Sequence, residues 1–244
     1  MRQFGLIGYP LSHSFSKKYF TQKFAEEGIH NCAYELYPIP SINELPALLQ
    51  QVKGLEGINV TIPYKEAVLP FLDEQTAAVQ EIGACNCIHI KNGKLIGHNT
   101  DVTGFRQSIE PFLQPHHQHA LILGTGGAAK AVAWVLQQLG IRFQIVSRNK
   151  TATTLSYDEL DEAMMQTVEL VINTTPLGMQ PNVHDKPSLP YHCINNRFLC
   201  YDLIYNPEKT RFLQLAEEQG AVIKNGADML LIQAEESWKI WNNG

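Results

Sequence analysis

Gly124-Thr125-Gly126-Gly127-Ala128-Ala129 directly follows the apolar run Ala120-Leu121-Ile122-Leu123 and opens a stretch, Ala128 to Leu139, that reads as a helix ended by Gly140. This spacing suits a diphosphate. The first glycine permits a sharp turn, the second lets the backbone approach the phosphates, and the small Ala129 allows close packing of helix on strand. A helix start adds free N–H groups and the positive end of the dipole. Many glycine turns bind nothing, so the strand–turn–helix context is what points to a dinucleotide. The next strand, Arg142 to Val146, ends in Ser147-Arg148-Asn149-Lys150. A site for NAD usually presents Asp or Glu there to the ribose 2′-hydroxyl. Two cations and no carboxylate suit a 2′-phosphate, so NADP is the expected cofactor; a polar loop with incidental charges is the alternative.

Hydride transfer between an alcohol and a carbonyl also needs a group that gives or takes a proton. No zinc ligand set is visible, and no metal is expected. The N-terminal part offers Asn59-Val60-Thr61-Ile62-Pro63-Tyr64-Lys65, then Gly83-Ala84-Cys85-Asn86, then Asn99-Thr100-Asp101. Polar side chains at the ends of apolar strands, on turns held by Gly or Pro, are candidates for a site; singly, each could equally cap a helix or a turn. Further on, Val168 to Asn173 runs into Thr174-Thr175-Pro176-Leu177-Gly178-Met179, where a dinucleotide-binding sheet lines its nicotinamide crevice. Phe198 to Asp202 leads into Ile204-Tyr205-Asn206-Pro207, and Gly226 precedes Asp228 to Gln233, the expected start of the final helix.

The elements that position these residues alternate. Phe4 to Ile7 reads as a strand, Ser16 to Glu27 as a helix closed by Gly28, Tyr34 to Tyr37 as a strand, Ile42 to Gln51 as a helix and Gly57 to Ile62 as a strand stopped by Pro63. Strands alternating with helical segments predict βαβ units and a mostly parallel sheet. Cys85 to Ile90 and Lys94 to Gly97 flank Asn92-Gly93, the chemistry of a two-residue hairpin turn. A second unit is expected to start near Gln114-Pro115-His116-His117-Gln118-His119. These histidines read as a solvated loop rather than a metal site, because no carboxylate or cysteine ligand lies nearby.

Composition bounds the function. The 244 residues are 44% hydrophobic and 18% charged, ordinary for a globular chain of one or two domains. Nineteen basic against 24 acidic residues give a net charge of −5, which demotes nucleic acid as a partner. Five cysteines without a C-x-x-C spacing argue against a disulfide framework or zinc ribbon. No apolar run approaches the ~20 residues that span a bilayer, and the start is too soon broken by glycine for a signal peptide. A reduced, cytoplasmic protein acting on a small molecule is expected, with no membrane association.

Taken together, the segments resemble the shikimate dehydrogenase family over nearly the whole chain and in unbroken order. The match runs through Gly8-Tyr9-Pro10, His13-Ser14-Phe15-Ser16, Asn59-Val60-Thr61 through Lys65, Gly83 to Asn86, Asn99 to Gly104, the glycine turn, Asn173 to Met179, Asp202 through Tyr205, Pro207 to Thr210 and Gly226 through Gln233. The resemblance implies an α/β chain with an N-terminal substrate domain (1–101 plus 227–244) and a Rossmann dinucleotide-binding domain (102–226), with a cleft between them. It implies NADPH-dependent, reversible reduction of 3-dehydroshikimate to shikimate, in the pathway to aromatic amino acids, by a monomer or homodimer.

Carried over residue by residue, Lys65 and Asp101 match the family's catalytic pair. A lysine near the substrate oxygen can deliver a proton or stabilise an alkoxide, and the aspartate would orient it and hydrogen-bond the adjacent hydroxyl. Ser14 and Ser16 match the hydroxyls that hold the substrate carboxylate. Asn59, Thr61, Asn86, Tyr205 and Gln233 match the other substrate contacts. Gly124, Thr125, Gly126, Gly127, Ala128, Ser147, Arg148 and Asn149 match the cofactor contacts, with Thr175, Leu203, Gly226 and Met229 around the nicotinamide. Three departures stand out. Lys17 replaces a proline after the second serine, Ser147-Arg148-Asn149 replaces Asn-Arg-Thr, and Asp228 replaces a glycine beside Met229. Use of quinate or NAD, and a dinucleotide-binding module without chemistry, remain as alternatives; retention of both Lys65 and Asp101 argues against the latter.

Overall fold

Strand β1 (Arg2–Gly8) is buried along most of its length, because it lies inside a sheet with both faces covered. It belongs to a computed structural model that describes residues 1–11 and 14–243, so His13 of the opening motif lies outside the described residues. The chain divides into two compact units, Met1–Thr100 with Ala234–Gly244, and Asp101–Gln233.

In the first unit β1 is followed by α1 (Phe15–Glu26), β2 (Cys32–Pro38), α2 (Leu45–Gln51), β3 (Leu55–Val60), the single turn α3 (Tyr64–Ala67), β4 (Glu74–Gln75), α4 (Ala77–Ile82), β5 (Cys87–Lys91) and β6 (Lys94–His98). The sheet order is β2-β1-β3-β5-β6-β4. β1 runs parallel to β2 and β3, and β4 parallel to β6, whereas β5 runs antiparallel to β3 and β6. The expected hairpin is present: Asn92 and Gly93 both take positive φ, 52° and 78°, as the two-residue turn requires. Two sequence expectations need correction. The helix expected over 42–51 starts as a 3-10 turn, Ile42–Glu44, before α2, with Pro46 in the first turn of α2. β3 ends at Val60 rather than Ile62, whose side chain is 75% exposed.

The last helix, α9 (Ala227–Asn243), follows the second unit in sequence, and its residues from Ala234 onward belong to the first. Trp241 fixes it there. Its ring stacks on Phe4 with centroids 4.9 Å apart, and its indole N–H donates to Ile88 O at 3.0 Å. A Cβ at Gly57 would lie 2.4 Å from the same ring, so the close approach of helix to sheet requires glycine there.

The second unit takes α5 from Asp101 onward (the helix spans Thr100–Ile109). Then come β7 (His119–Leu123), α6 (Gly127–Gln138), β8 (Arg142–Val146), β9 (Thr154–Leu155), α7 (Glu162–Met165), β10 (Leu170–Asn173), β11 (Leu199–Asp202), α8 (Arg211–Glu218) and β12 (Val222–Lys224). Its sheet is parallel throughout, in the order β12-β11-β10-β7-β8-β9. The order reverses between β7 and β10, and that switch point is where α/β sheets of this kind bind dinucleotides. Apolar clusters cover both faces, one around Leu121, Val171 and Phe212, the other around Ile122, Val135 and Tyr201. The histidine segment is not wholly solvated as expected. His117 is buried, accepts from Gln114 N–H at 3.0 Å and donates from Nε2 to Arg197 O at 3.2 Å.

Candidate active site

Lys65 sits on α3, a turn too short to hold itself and anchored from outside. Tyr64 donates its hydroxyl to Ile39 O at 2.6 Å, Tyr64 N donates to Thr61 O at 2.9 Å, and Cys85 N donates to Lys65 O at 2.8 Å. Thr61 is in turn tied to β1, donating its N–H to Ile7 O at 2.9 Å. The half-buried Lys65 thus leaves a backbone fixed on both sides.

Next to it lies a buried network without formal charge. Tyr34 donates to Asn59 Oδ1 at 2.9 Å. Asn59 Nδ2 donates to Ser237 Oγ at 2.9 Å and to Asn86 O at 3.3 Å. Thr100 N donates to Asn86 Oδ1 at 2.6 Å, Asn86 Nδ2 donates to Thr100 Oγ1 at 3.1 Å, and Thr100 Oγ1 lies 3.3 Å from Ser237 Oγ. Ser16 hydrogen-bonds the Tyr34 phenol, whose pKa burial pushes far up, so it stays a neutral donor. The structure therefore brings Ser16, Asn59 and Asn86 together through Thr100, which lies in a candidate segment of the sequence reading, and through Tyr34 and Ser237, which that reading did not name as site residues. Both N–H donors of Asn59 are used within the unit, which leaves this amide only acceptor capacity for a bound molecule.

Ser14 caps α1, accepting from Lys17 N–H at 3.4 Å. The lysine at 17 thus supplies a backbone donor that a proline would lack, and its ammonium pairs with Glu35 at 2.6 Å.

In the second unit, Gly124 takes φ +113°, and a Cβ there would lie 2.6 Å from Thr174 Oγ1. Glycine is needed on both counts. α6 starts at Gly127 with Gly126 as its N-cap, and no side chain caps it. Its first N–H groups have no partner within the helix, and a Cβ at Gly126 would meet nothing within 4 Å. Open backbone donors at a twelve-residue helix start fit a diphosphate. Ala129 is buried, as close packing of α6 on the sheet requires. Beyond β8, Arg148 is exposed and makes no ion pair among the described residues, while Lys150 is paired with Glu159.

The ends of β10 and β11 carry the residues expected around a nicotinamide. Thr175 donates from N and Oγ1 to Asn173 Oδ1 at 3.1 and 2.6 Å. Asn173 Nδ2 donates to Asp202 Oδ1 at 3.1 Å, Ile204 N donates to the same oxygen at 3.0 Å, and Thr210 Oγ1 donates to Asp202 Oδ2 at 2.6 Å. Gly226 N donates to Ile204 O at 3.1 Å, and a Cβ at Gly226 would fall 2.0 Å from Leu203 O, so that turn and the start of α9 touch through backbone alone. Asp202 is fully buried, and burial pushes its pKa up to about 7 against its three donors. Asp101, in the first turn of α5, is buried. α5 lies close to α9 near Met229 and Gln233: a Cβ on Gly104 would come within 2.7 Å of Met229 O and 3.1 Å of Gln233 Cβ. Tyr205 is 40% exposed. The departure at Asp228 does not point a bare acid at this crevice, because Asp228 pairs with Lys224.

An α/β chain that combines a dinucleotide-type parallel sheet with a second sheet bearing Lys65 and a neutral polar cluster is that of an NADP-linked oxidoreductase. Residues 6–88 match the shikimate dehydrogenase substrate binding domain. Over 97% of its length the chain is 37% identical to the NADP-dependent shikimate dehydrogenase of Desulforamulus reducens, covering 88% of that protein. It is 38% identical to that of Clostridium beijerinckii, over 99% of this chain and 92% of the relative. A crystal structure of the Thermus thermophilus shikimate 5-dehydrogenase in complex with NADP(H) and shikimate superposes with a TM-score of 0.88 at 29% identity, covering all of this chain and 94% of that one. The chain belongs to the shikimate dehydrogenase family.

Proposed function

We propose that this chain catalyses the reversible, NADPH-dependent reduction of 3-dehydroshikimate to shikimate, with substrate contacts drawn from residues of both units and the cofactor contacts from the second. The observation that carries the reading is the pairing, within one chain, of an uncapped helix start behind Gly124 with a lysine locked on a one-turn helix beside neutral hydrogen-bonding groups. When bound, NADPH supplies the hydride. Lys65 gives its proton to the carbonyl oxygen as that oxygen gains charge, and in the reverse direction takes it from the hydroxyl. Asp101 hydrogen-bonds the neighbouring hydroxyl and orients the ammonium. Ser14 and Ser16 hold the ring carboxylate, and Thr61, Asn86, Tyr205 and Gln233 complete the contacts to the hydroxyls, with Asn59 accepting only.

Hydroxyls and amides match a polyhydroxylated acid because they donate and accept without a fixed charge, and an analogue lacking a hydroxyl leaves buried groups unpaired. Backbone N–H groups of Gly126 to Ala128 hold the diphosphate, and Arg148 reads the 2′-phosphate. A small-molecule substrate accounts for every candidate residue, and no helix of the described residues is long and apolar enough to cross a membrane. The cytoplasm suits an enzyme of this class with five free cysteines, and it works as a monomer or homodimer. The test is the appearance of reduced nicotinamide absorbance with shikimate or quinate, each paired with NADP⁺ or NAD⁺. Turnover is expected with shikimate and NADP⁺ above the other three; absence of turnover in all four, from folded protein, refutes the reading.

A further inference from the structure

Asp202 belongs to none of the contact sets above, yet it joins two of the turns that carry them. β10 and β11 are in register at Asn173 and Asp202, and both side chains are fully buried where the strands end. Asp202 Oδ1 receives Asn173 Nδ2 and Ile204 N–H. The first of these bonds decides which way the Asn173 amide faces. With Nδ2 held by the carboxylate, Oδ1 must point at Thr175, where it takes both the N–H and the hydroxyl. Thr175 Oγ1 then receives Leu177 N–H at 3.3 Å, which closes the turn. The second bond fixes the backbone between Leu203 and Tyr205. The other oxygen has a separate duty: Thr210, which donates to Oδ2, caps α8 through Leu213 N–H at 3.4 Å.

We propose that Asp202 is a positioning residue for the nicotinamide end of the dinucleotide site, setting the Asn173 amide and through it the turns that carry Thr175 and Leu203. The inference rests on the NADP reading of the second unit. When ionised, a carboxylate suits the task better than an amide, because both its oxygens accept, whereas an amide nitrogen can only present donors to Ile204 N–H. The adenosine end, by contrast, is assigned to α6 and the turn after β8, which among the described residues share no hydrogen bond with this carboxylate.

Adenosine 2′,5′-bisphosphate, which has the adenosine end and no nicotinamide, separates the two ends. Calorimetry with this probe and with NADP⁺, on wild type and Asp202→Asn, is the test, with shikimate turnover measured alongside. The expected result is a rise of roughly tenfold in Kd for NADP⁺ and a comparable fall in kcat, the scale of a small misplacement. The Kd for the bisphosphate stays within about twofold of wild type, as expected when its own contacts are untouched. An unchanged NADP⁺ affinity and kcat, or equal losses for both ligands, overturns the proposal. Should Asp202→Asn not fold, Asn173→Leu cuts the same link from the other side and must give the same split; equal losses there also overturn it. Thr210→Val removes only the tie to α8 and is expected to lower Tm without changing the ratio of the two affinities; a changed ratio counts against the proposal. If the wild-type protein fails to bind the bisphosphate, the NADP reading itself has failed, a result distinct from any of these.

Discussion

The two sheets end in polar clusters built on opposite electrical plans. In the first unit Tyr34, Asn59, Ser237, Thr100 and Asn86 hydrogen-bond one another without a formal charge. In the second, Asn173, Ile204 and Thr210 converge on the carboxylate of Asp202. Each plan suits what it must hold. A neutral lattice can satisfy buried amides at any ordinary pH and adds no charge of its own to the proposed pair Lys65 and Asp101. A buried carboxylate is a stronger organiser of donors, at the cost of a group whose ionisation disfavours the fold. The net charge of −5 is thus irrelevant to either site, because the groups that matter act over hydrogen-bond distances.

The largest effect that sharpens the contrast is expected at the rim of the second unit. Arg148→Ala should weaken NADP⁺ binding by about 10- to 100-fold, corresponding to the ~1.5–3 kcal/mol of a hydrogen bond to a charged group, while NAD⁺ changes little. Equal losses for both, measured by calorimetry, would mean that the 2′-phosphate is read elsewhere. Lys150→Ala serves as its partner experiment: because Lys150 is already paired with Glu159, NADP⁺ affinity should move by less than about twofold, as is usual for an exposed ion pair.

Ser237→Ala probes the neutral plan. It removes the acceptor of Asn59 Nδ2 and leaves a buried donor facing a methyl group, so chemical denaturation should show a loss of about 1–3 kcal/mol. Because Asn59 loses its orientation as well, KM for shikimate should rise while NADP⁺ affinity holds. Unchanged stability would show that the network is incidental.

The smallest effect is one of pH. An unfolded aspartate releases its proton near pH 4, whereas Asp202 in the fold does so at about 7. Between those values the folded state binds more protons, so this group's contribution to stability, complete below about pH 4, is lost as pH rises through 7. Tyr191 and Tyr201, whose charges would also act on Asp202, are held neutral across this window because burial raises both. The advantage in Tm of wild type over Asp202→Asn should therefore shrink from pH 5 to pH 8. A gap independent of pH would contradict the assigned titration, and no comparable slope is expected for Ser237→Ala.

Much of the local structure was legible because its causes are local. Asn92-Gly93 permits the positive φ values of a tight turn, and Gly124 to Ala129 follow a strand and open a helix, as the pattern requires. The errors came where tertiary context overrules pattern. Ile62 continues an apolar run yet lies past the strand end, and His117 sits in a polar stretch yet is buried against Arg197 O. The site residues could be named through resemblance, but their supports could not. Asn59 and Ser237 meet across 178 residues, and nothing near either in sequence announces the other. Asn173 and Asp202 are likewise joined by strand register, which no single segment encodes.

The account stands most directly on Lys65 as the proton donor for a shikimate-type substrate. Steady-state oxidation of shikimate with saturating NADP⁺, wild type against Lys65→Ala, measures it. The prediction is turnover by the wild type and a kcat lower by roughly 10²-fold or more in the variant, the scale of a general acid–base group, with NADP⁺ binding retained. Turnover by Lys65→Ala at the wild-type rate would contradict the account.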